Sequence, residues 1–208
     1  MIATLTGAQV DRAFARRIEP TKALGQDAEA VARACYDMAL RFHRGGRLLC
    51  FGNGSAAADA AHIVVEFVHP VIVGKRALPA VSLANDAATW SGIARLAGVE
   101  DSFAAQLRLL GMADDIALGI SADGQCANVA RALEVARDAG LLTVALVGGQ
   151  SDQGGKIARI PRLDHVLVAR SDDPRVVKEI HVTAYHVLWE LVHVFFEQPG
   201  VLSPRVVG

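Results

Sequence analysis

The chain has 208 residues, 52% of them hydrophobic and 21% charged, with a formal net charge of −1. This composition suits a compact folded chain with a sizeable core and excludes a disordered one. Basic residues are scattered, so nothing forms an electrostatic footprint for nucleic acid, and no stretch reaches the roughly 18 consecutive apolar residues that a membrane span needs.

Three cysteines, Cys35, Cys50 and Cys126, are odd in number and widely spaced, which fits reduced thiols better than a disulfide framework. The N-terminal segment mixes Asp11, Arg12, Arg16, Arg17 and Glu19 among its apolar residues, unlike a signal peptide. The expectation is a cytoplasmic protein of one domain over residues 1–208: N-terminal helices to 45, an α/β core over 46–170 and a C-terminal helix within 171–197.

In chain order, residues 6–18 and 26–43 read as helices. The second places Ala28, Val31, Ala32, Cys35, Met38, Ala39 and Phe42 at helical spacing, and Gly45-Gly46 ends it. Five short apolar runs follow, at 47–51, 80–83, 116–120, 142–147 and 165–169. The first four are nearly continuous in apolar residues, which predicts strands buried on both faces, as in a parallel sheet. Helical patterns fall between them at 55–68, 86–96, 101–110 and 127–139, and a long helix is expected over 174–196. Alternating strands and helices predict a doubly wound α/β sandwich whose strand C-termini share one ligand-binding rim. The segment 148–162, with Gly154-Gly155-Lys156, reads as a mobile loop.

Two turns on that rim contain glycine. Gly52-Asn53-Gly54-Ser55 joins the first strand to an alanine-rich helix, and backbone N–H groups at such a turn suit an anion. Ser121-Ala122-Asp123-Gly124-Gln125-Cys126 follows the third strand, while Ala84-Asn85-Asp86 after the second reads most simply as a helix N-cap. His62 and Glu66 are four residues apart, so their side chains are neighbours about 6 Å apart at Cβ. Such a pair serves a subunit contact as well as a metal or a proton transfer. The apolar segment around it argues for burial, and a buried carboxylate needs a partner. On the last helix Glu179, His186 and His193 form one stripe, each step spanning about 10.5 Å, too far for one ion to bind all three. His181 and His193 read as satisfied structural histidines. A Rossmann-type nucleotide site is disfavoured, because Ala57 stands where the third glycine of Gly-x-Gly-x-x-Gly would be.

Four segments, FGNGSAAADAAHIVVE, RALPAVSLANDAATWSGIA, DDIALGISADGQCANVARALEVARDAGLLTVALVGG and SDDPRVVKEIHVTAYHVLWELVH, together resemble the SIS (sugar isomerase) family, and within it the phosphoheptose isomerases. The resemblance implies a flavodoxin-like three-layer sandwich with a five-stranded parallel sheet and extra N-terminal helices. It also implies a homotetramer with shared active sites and an aldose–ketose isomerase acting on sedoheptulose 7-phosphate or a related sugar. By the same resemblance Glu66 is the general base and His186 the acid/base partner, with His62, Glu66 and His186 as zinc ligands. Asn53, Gly54, Ser55 and Ser121 then belong to the substrate site, together with Arg95, Asp123, Cys126 and Lys178 at altered positions. The family's phosphate loop reads Ser-Thr-Ser-Gly-Asn-Ser where this chain has residues 121–126, so a carboxylate, Asp123, stands among the phosphate donors. Lys178 takes the place of a glutamine that serves as a fourth metal ligand. Arg95 is either a new anion contact or a partner of Asp123. The alternative from another class is a non-catalytic SIS-domain protein that binds a sugar or a protein partner.

Overall fold

A computed structural model describes residues 6–149, 154–198 and 200–202. Helices α1 (Gly7–Gln26) and α2 (Ala28–His43) precede β1 (Leu48–Gly52), α3 (Ser55–Val68) and β2 (Ala80–Ser82). Then come α4 (Ala87–Ala97), α5 (Ala104–Leu110), β3 (Ile116–Ser121), α6 (Ala127–Asp138) and β4 (Leu142–Gly148), and finally β5 (His165–Ala169) and α7 (Pro174–Glu197). The strands form one parallel sheet in the order β2-β1-β3-β4-β5.

Alternation along the strands divides the core between two layers. Leu48 and Cys50 on β1, with Ile116, Leu118 and Ile120 on β3, pack under α2, α3 and α7. Leu49, Phe51 and Ala117 point the other way, onto α5 and α6. Every residue of β1, β3 and β4 is buried, as continuous apolar runs require of central strands. β2 departs from that expectation: it pairs on one side only, and Val81 on this edge strand stays 42% exposed.

Other boundaries moved for identifiable reasons. α1 continues through Pro20 to Gln26, well past the expected end at residue 18. Contacts on both sides of the proline hold it: Arg17 donates to both carboxylate oxygens of Glu179 on α7 at 2.6 and 2.8 Å, and Leu24 is buried in the core. The segment expected to be a mobile loop is partly built into the fold. Residues 150–153 lie outside the described residues, but Ile157 is fully buried and its N–H donates to Gly124 O at 3.0 Å. Gly124 has φ +65°, and a Cβ there would lie 2.0 Å from Gly154 O, so this close approach requires glycine.

The rim opposite the ligand side is pinned by carboxylates. Asp115, whose side chain is 2% exposed, accepts from Arg47 N at 2.7 Å, the Arg47 guanidinium at 2.8 Å and Met112 N at 3.1 Å. The bond to Asp115 raises the Arg47 pKa above its ordinary value, against the burial that would lower it. This bridge joins the starts of β1 and β3. Replacing Asp115 by Ala leaves two backbone donors without their acceptor and removes the ion pair from Arg47, which keeps its bond to Leu110 O, and is expected to lower unfolding free energy by about 2 kcal/mol. A shift of the urea midpoint checks it; a change within experimental error would remove the bridge from the account of stability.

Candidate active site

Gly54, at φ +55°, turns the chain from β1 into α3 with a backbone that side-chain-bearing residues rarely adopt. Gly52 just before it has no room for a side chain, since a Cβ would meet Ala56 Cβ at 2.8 Å and Ile120 O at 3.0 Å. α3 is thereby pressed against the sheet end. Asp59, His62 and Glu66 then fall on one stripe of it, three and four residues apart, facing α7.

The sequence-identified triplet comes together. One ligand atom from each of His62, Glu66 and His186 lies within 4.8 Å of the others. His62 Nε2 is 3.1 Å from Glu66 Oε1, and the rings of His62 and His186 stand edge to face with centroids 5.2 Å apart. Glu66 is 9% exposed, whereas His186 faces solvent. The far nitrogen of His62, Nδ1, is 2.7 Å from the Tyr185 hydroxyl. Burial, helped by the charges of Asp59 and Glu66, raises the Tyr185 pKa far above its ordinary value, so the phenol keeps its proton. Tyr185 accepting from Nδ1–H would leave Nε2 unprotonated and pointing at Glu66. Two imidazoles and a carboxylate suit a divalent metal such as zinc, and three protein ligands leave a position open for substrate.

Lys178 does not enter this cluster. Its ammonium is 2.5 Å from Asp59 Oδ1 and 3.1 Å from Ser55 O, so its charge is matched within the α3–α7 contact. Of the two histidines read as satisfied, His193 is so, bridging Trp189 O at 2.8 Å and Arg76 O at 2.9 Å. His181 corrects that reading: it is 3% exposed and its Nε2 has no hydrogen-bond partner. Burial lowers its pKa, partly opposed by a hydrogen bond to the Val147 backbone and by Asp59, so the ring is held neutral.

A cavity of about 450 Å³ opens at the C-terminal ends of β1 and β3 and the N-terminal ends of α3 and α7, the two helices that carry the triplet. Asn53, Ser55, Ser121, Asp123 and Cys126 line it, as the turns suggested, and Asp172 and Val177 close it from the α7 side. Gly54 and Lys178 shape its surroundings without lining it. Arg95 is exposed on α4, forms no ion pair with Asp123 among the described residues and is not part of the lining. Asp123 turns onto its own loop instead, accepting from the Ser121 hydroxyl at 3.1 Å and Gln125 N at 2.9 Å. The Ser121 hydroxyl expected to meet a phosphate is therefore already donating. The Asn53 carboxamide is held by reciprocal bonds with buried Asn128, at 2.8 and 2.9 Å, leaving one N–H free for a ligand.

Asp59, Tyr185 and Asn128 were not picked out from the sequence. Asp59 precedes His62 by three residues, a helical signal that was available; Tyr185 and Asn128 act across long sequence separations and left none.

With this geometry in view, comparison with known proteins is consistent throughout. The SIS domain profile matches residues 13–148. A phosphoheptose isomerase of Solidesulfovibrio magneticus is 38% identical over 178 residues, covering 85% of this chain and 84% of that protein. One from Desulfovibrio desulfuricans is 40% identical over 164 residues, covering 77% and 75%. The solved structure of a phosphoheptose isomerase from Francisella tularensis matches with a TM-score of 0.84 at 28% identity, over 91% of this chain and 100% of that one. That from Neisseria gonorrhoeae matches with a TM-score of 0.80 at 29% identity, over 89% and 97%. The chain belongs to the SIS domain family, and within that family it is similar to the phosphoheptose isomerases.

The Tyr185 contact makes a prediction that does not depend on turnover. Tyr185→Phe removes the group that orients His62 and is expected to weaken binding of a divalent metal by about 10–100-fold. Zinc competition against a chromophoric chelator measures this. Unchanged affinity would show that Tyr185 does not orient the ligand.

Proposed function

We propose that this protein is an aldose–ketose isomerase of the phosphoheptose isomerase type, acting on sedoheptulose 7-phosphate or a related sugar. The observation that carries the proposal is the convergence of His62, Glu66 and His186 from α3 and α7, whose N-terminal ends line a cavity of about 450 Å³. Relatives named as isomerases over most of the chain support it and do not favour a non-catalytic binding module.

Isomerisation moves one proton between adjacent carbons. Glu66 removes the proton from the carbon next to the ketose carbonyl, and the electron pair shifts to give an enediolate. The same carboxyl returns the proton to the former carbonyl carbon, leaving an aldose. His186, at the solvent-facing edge of the cluster, moves the proton between the two sugar oxygens. A carboxylate buried beside a histidine suits the first task, because water is largely kept from the group that holds the proton between steps. Zinc held by His62, Glu66 and His186 would supply Lewis acidity toward the sugar oxygens. Asn53, anchored by Asn128, offers its remaining N–H to a sugar hydroxyl.

Several features support a homo-oligomer of the kind the family resemblance implies. Val65 and Val68 on the outer face of α3, and Val71, Ile72 and Val73 after it, are exposed apolar side chains in one run of chain. A cytoplasmic setting agrees with the free thiols, of which burial pushes Cys35 up to about 12 and Cys50 higher still. No helix among the described residues is long and apolar enough to cross a membrane.

Glu66→Gln preserves shape and removes the base. With zinc-loaded protein, ketose–aldose interconversion is expected to fall by roughly 10²–10⁴-fold, together with loss of deuterium uptake at the carbon next to the carbonyl. Far-ultraviolet circular dichroism should be unchanged. Proton NMR in heavy water reads both, and undiminished exchange would remove Glu66 from the mechanism.

A further inference from the structure

The cavity at the N-terminal ends of α3 and α7 has a charge pattern that bears on which sugar the site takes. Two carboxylates, Asp123 and Asp172, are in its lining, and no lysine or arginine lines it among the described residues. Lys178, the cation that reaches the first turn, is bound to Asp59 and Ser55 O. The Ser121 hydroxyl and Gln125 N–H, donors that an anion at this loop would use, already serve Asp123. An entering phosphate would meet negative charge and occupied donors. A sugar hydroxyl would meet acceptors to which it can donate, and hydrogen bonds to carboxylates are the stronger kind.

The cavity and the proton-transfer cluster share helix α3. Ser55, in the lining, and His62, in the cluster, are seven residues apart on α3, about 10.5 Å along its axis. A sugar with its reacting end toward Glu66 has the cavity that contains Asp123 at the N-terminal end of the same helix.

We infer that this cavity receives the hydroxyl-bearing end of an unphosphorylated sugar, with Asp123 as the specificity-determining residue. The inference rests on the isomerase reading for which end of the sugar reacts, but not for the preference at the other end. Asp123 acts by exclusion as well as attraction: its carboxylate repels a phosphate ester and accepts from the terminal hydroxyl of the free sugar.

The test uses sedoheptulose and sedoheptulose 7-phosphate as paired probes. Binding of each to the zinc-loaded full chain is measured by calorimetry, and turnover by NMR. Wild type is expected to bind sedoheptulose about 10-fold or more tightly than the 7-phosphate. Asp123→Ser should move the ratio of dissociation constants roughly 100-fold toward the phosphate ester, since like-charge juxtaposition is removed and the loop donors are freed. Asp123→Asn keeps an acceptor for Ser121 and Gln125 while removing the charge. It should shift the ratio in the same direction, and it serves if the serine variant does not fold. Wild type binding the 7-phosphate as tightly as the free sugar would overturn the inference, as would binding of neither probe or a ratio unmoved in both variants. The expected preference without turnover would support the assignment of ligand class and count against the isomerase reading instead.

Discussion

The packing of α3 against α7 holds the site together. Three polar contacts run along this seam in order: Asp59 with Lys178, His62 with Tyr185, and the Glu66 carbonyl with the Trp189 indole N–H at 2.8 Å. The order is the same on both helices because each descends from the same rim of a parallel sheet. Apolar neighbours, among them Ala60, Ile63 and Phe67 on α3 and Ile180, Ala184 and Leu188 on α7, exclude water around the seam. Asp59 and Glu66, the buried acidic groups of the seam, must find their partners inside the protein. The requirement fixes which way His62 and Glu66 point, and with them the geometry of the triplet.

The same requirement separates the two halves of the site. At the reacting end a buried carboxylate is balanced by two imidazoles, an arrangement able to hold a cation or pass a proton. At the other end Asp123 is satisfied by its own loop and stands with Asp172 in a cavity without a basic side chain among the described residues. Lys178, which stands where a fourth metal ligand was expected, is paired with Asp59 within the helix contact. The Asp59–Lys178 pair thus leaves the triplet free of a competing ammonium. In the proposed reading, one end of the site carries the chemistry and the other selects what enters.

Much of the fold was legible in the order of residues. Central strands declared themselves as unbroken apolar runs, since burial on both faces leaves no polar position, and the glycine turns marked the ligand rim. The family motifs brought His62, Glu66 and His186 forward before any distance was known. The misreadings share a cause. α1 ignores the stop expected near Pro20 because Glu179 and the core hold both sides of it, and residues 154–162 are ordered by the glycine-to-glycine contact at Gly124. In each case a tertiary contact overrode a local signal.

The sequence by itself determined the alternation of strands and helices, the parallel sheet, the family and the three residues, His62, Glu66 and His186, that the fold brings together. These follow from periodicity and from motifs, both of which are written in short stretches of chain. Only the tertiary structure decided that Lys178 faces Asp59, that Tyr185 orients His62, that His181 keeps an unpartnered nitrogen, and that Asp123 turns onto Ser121 and not toward Arg95. Those are choices of direction for side chains with several polar groups in reach. They are settled by which partners the folded chain brings within reach, from segments far apart in sequence.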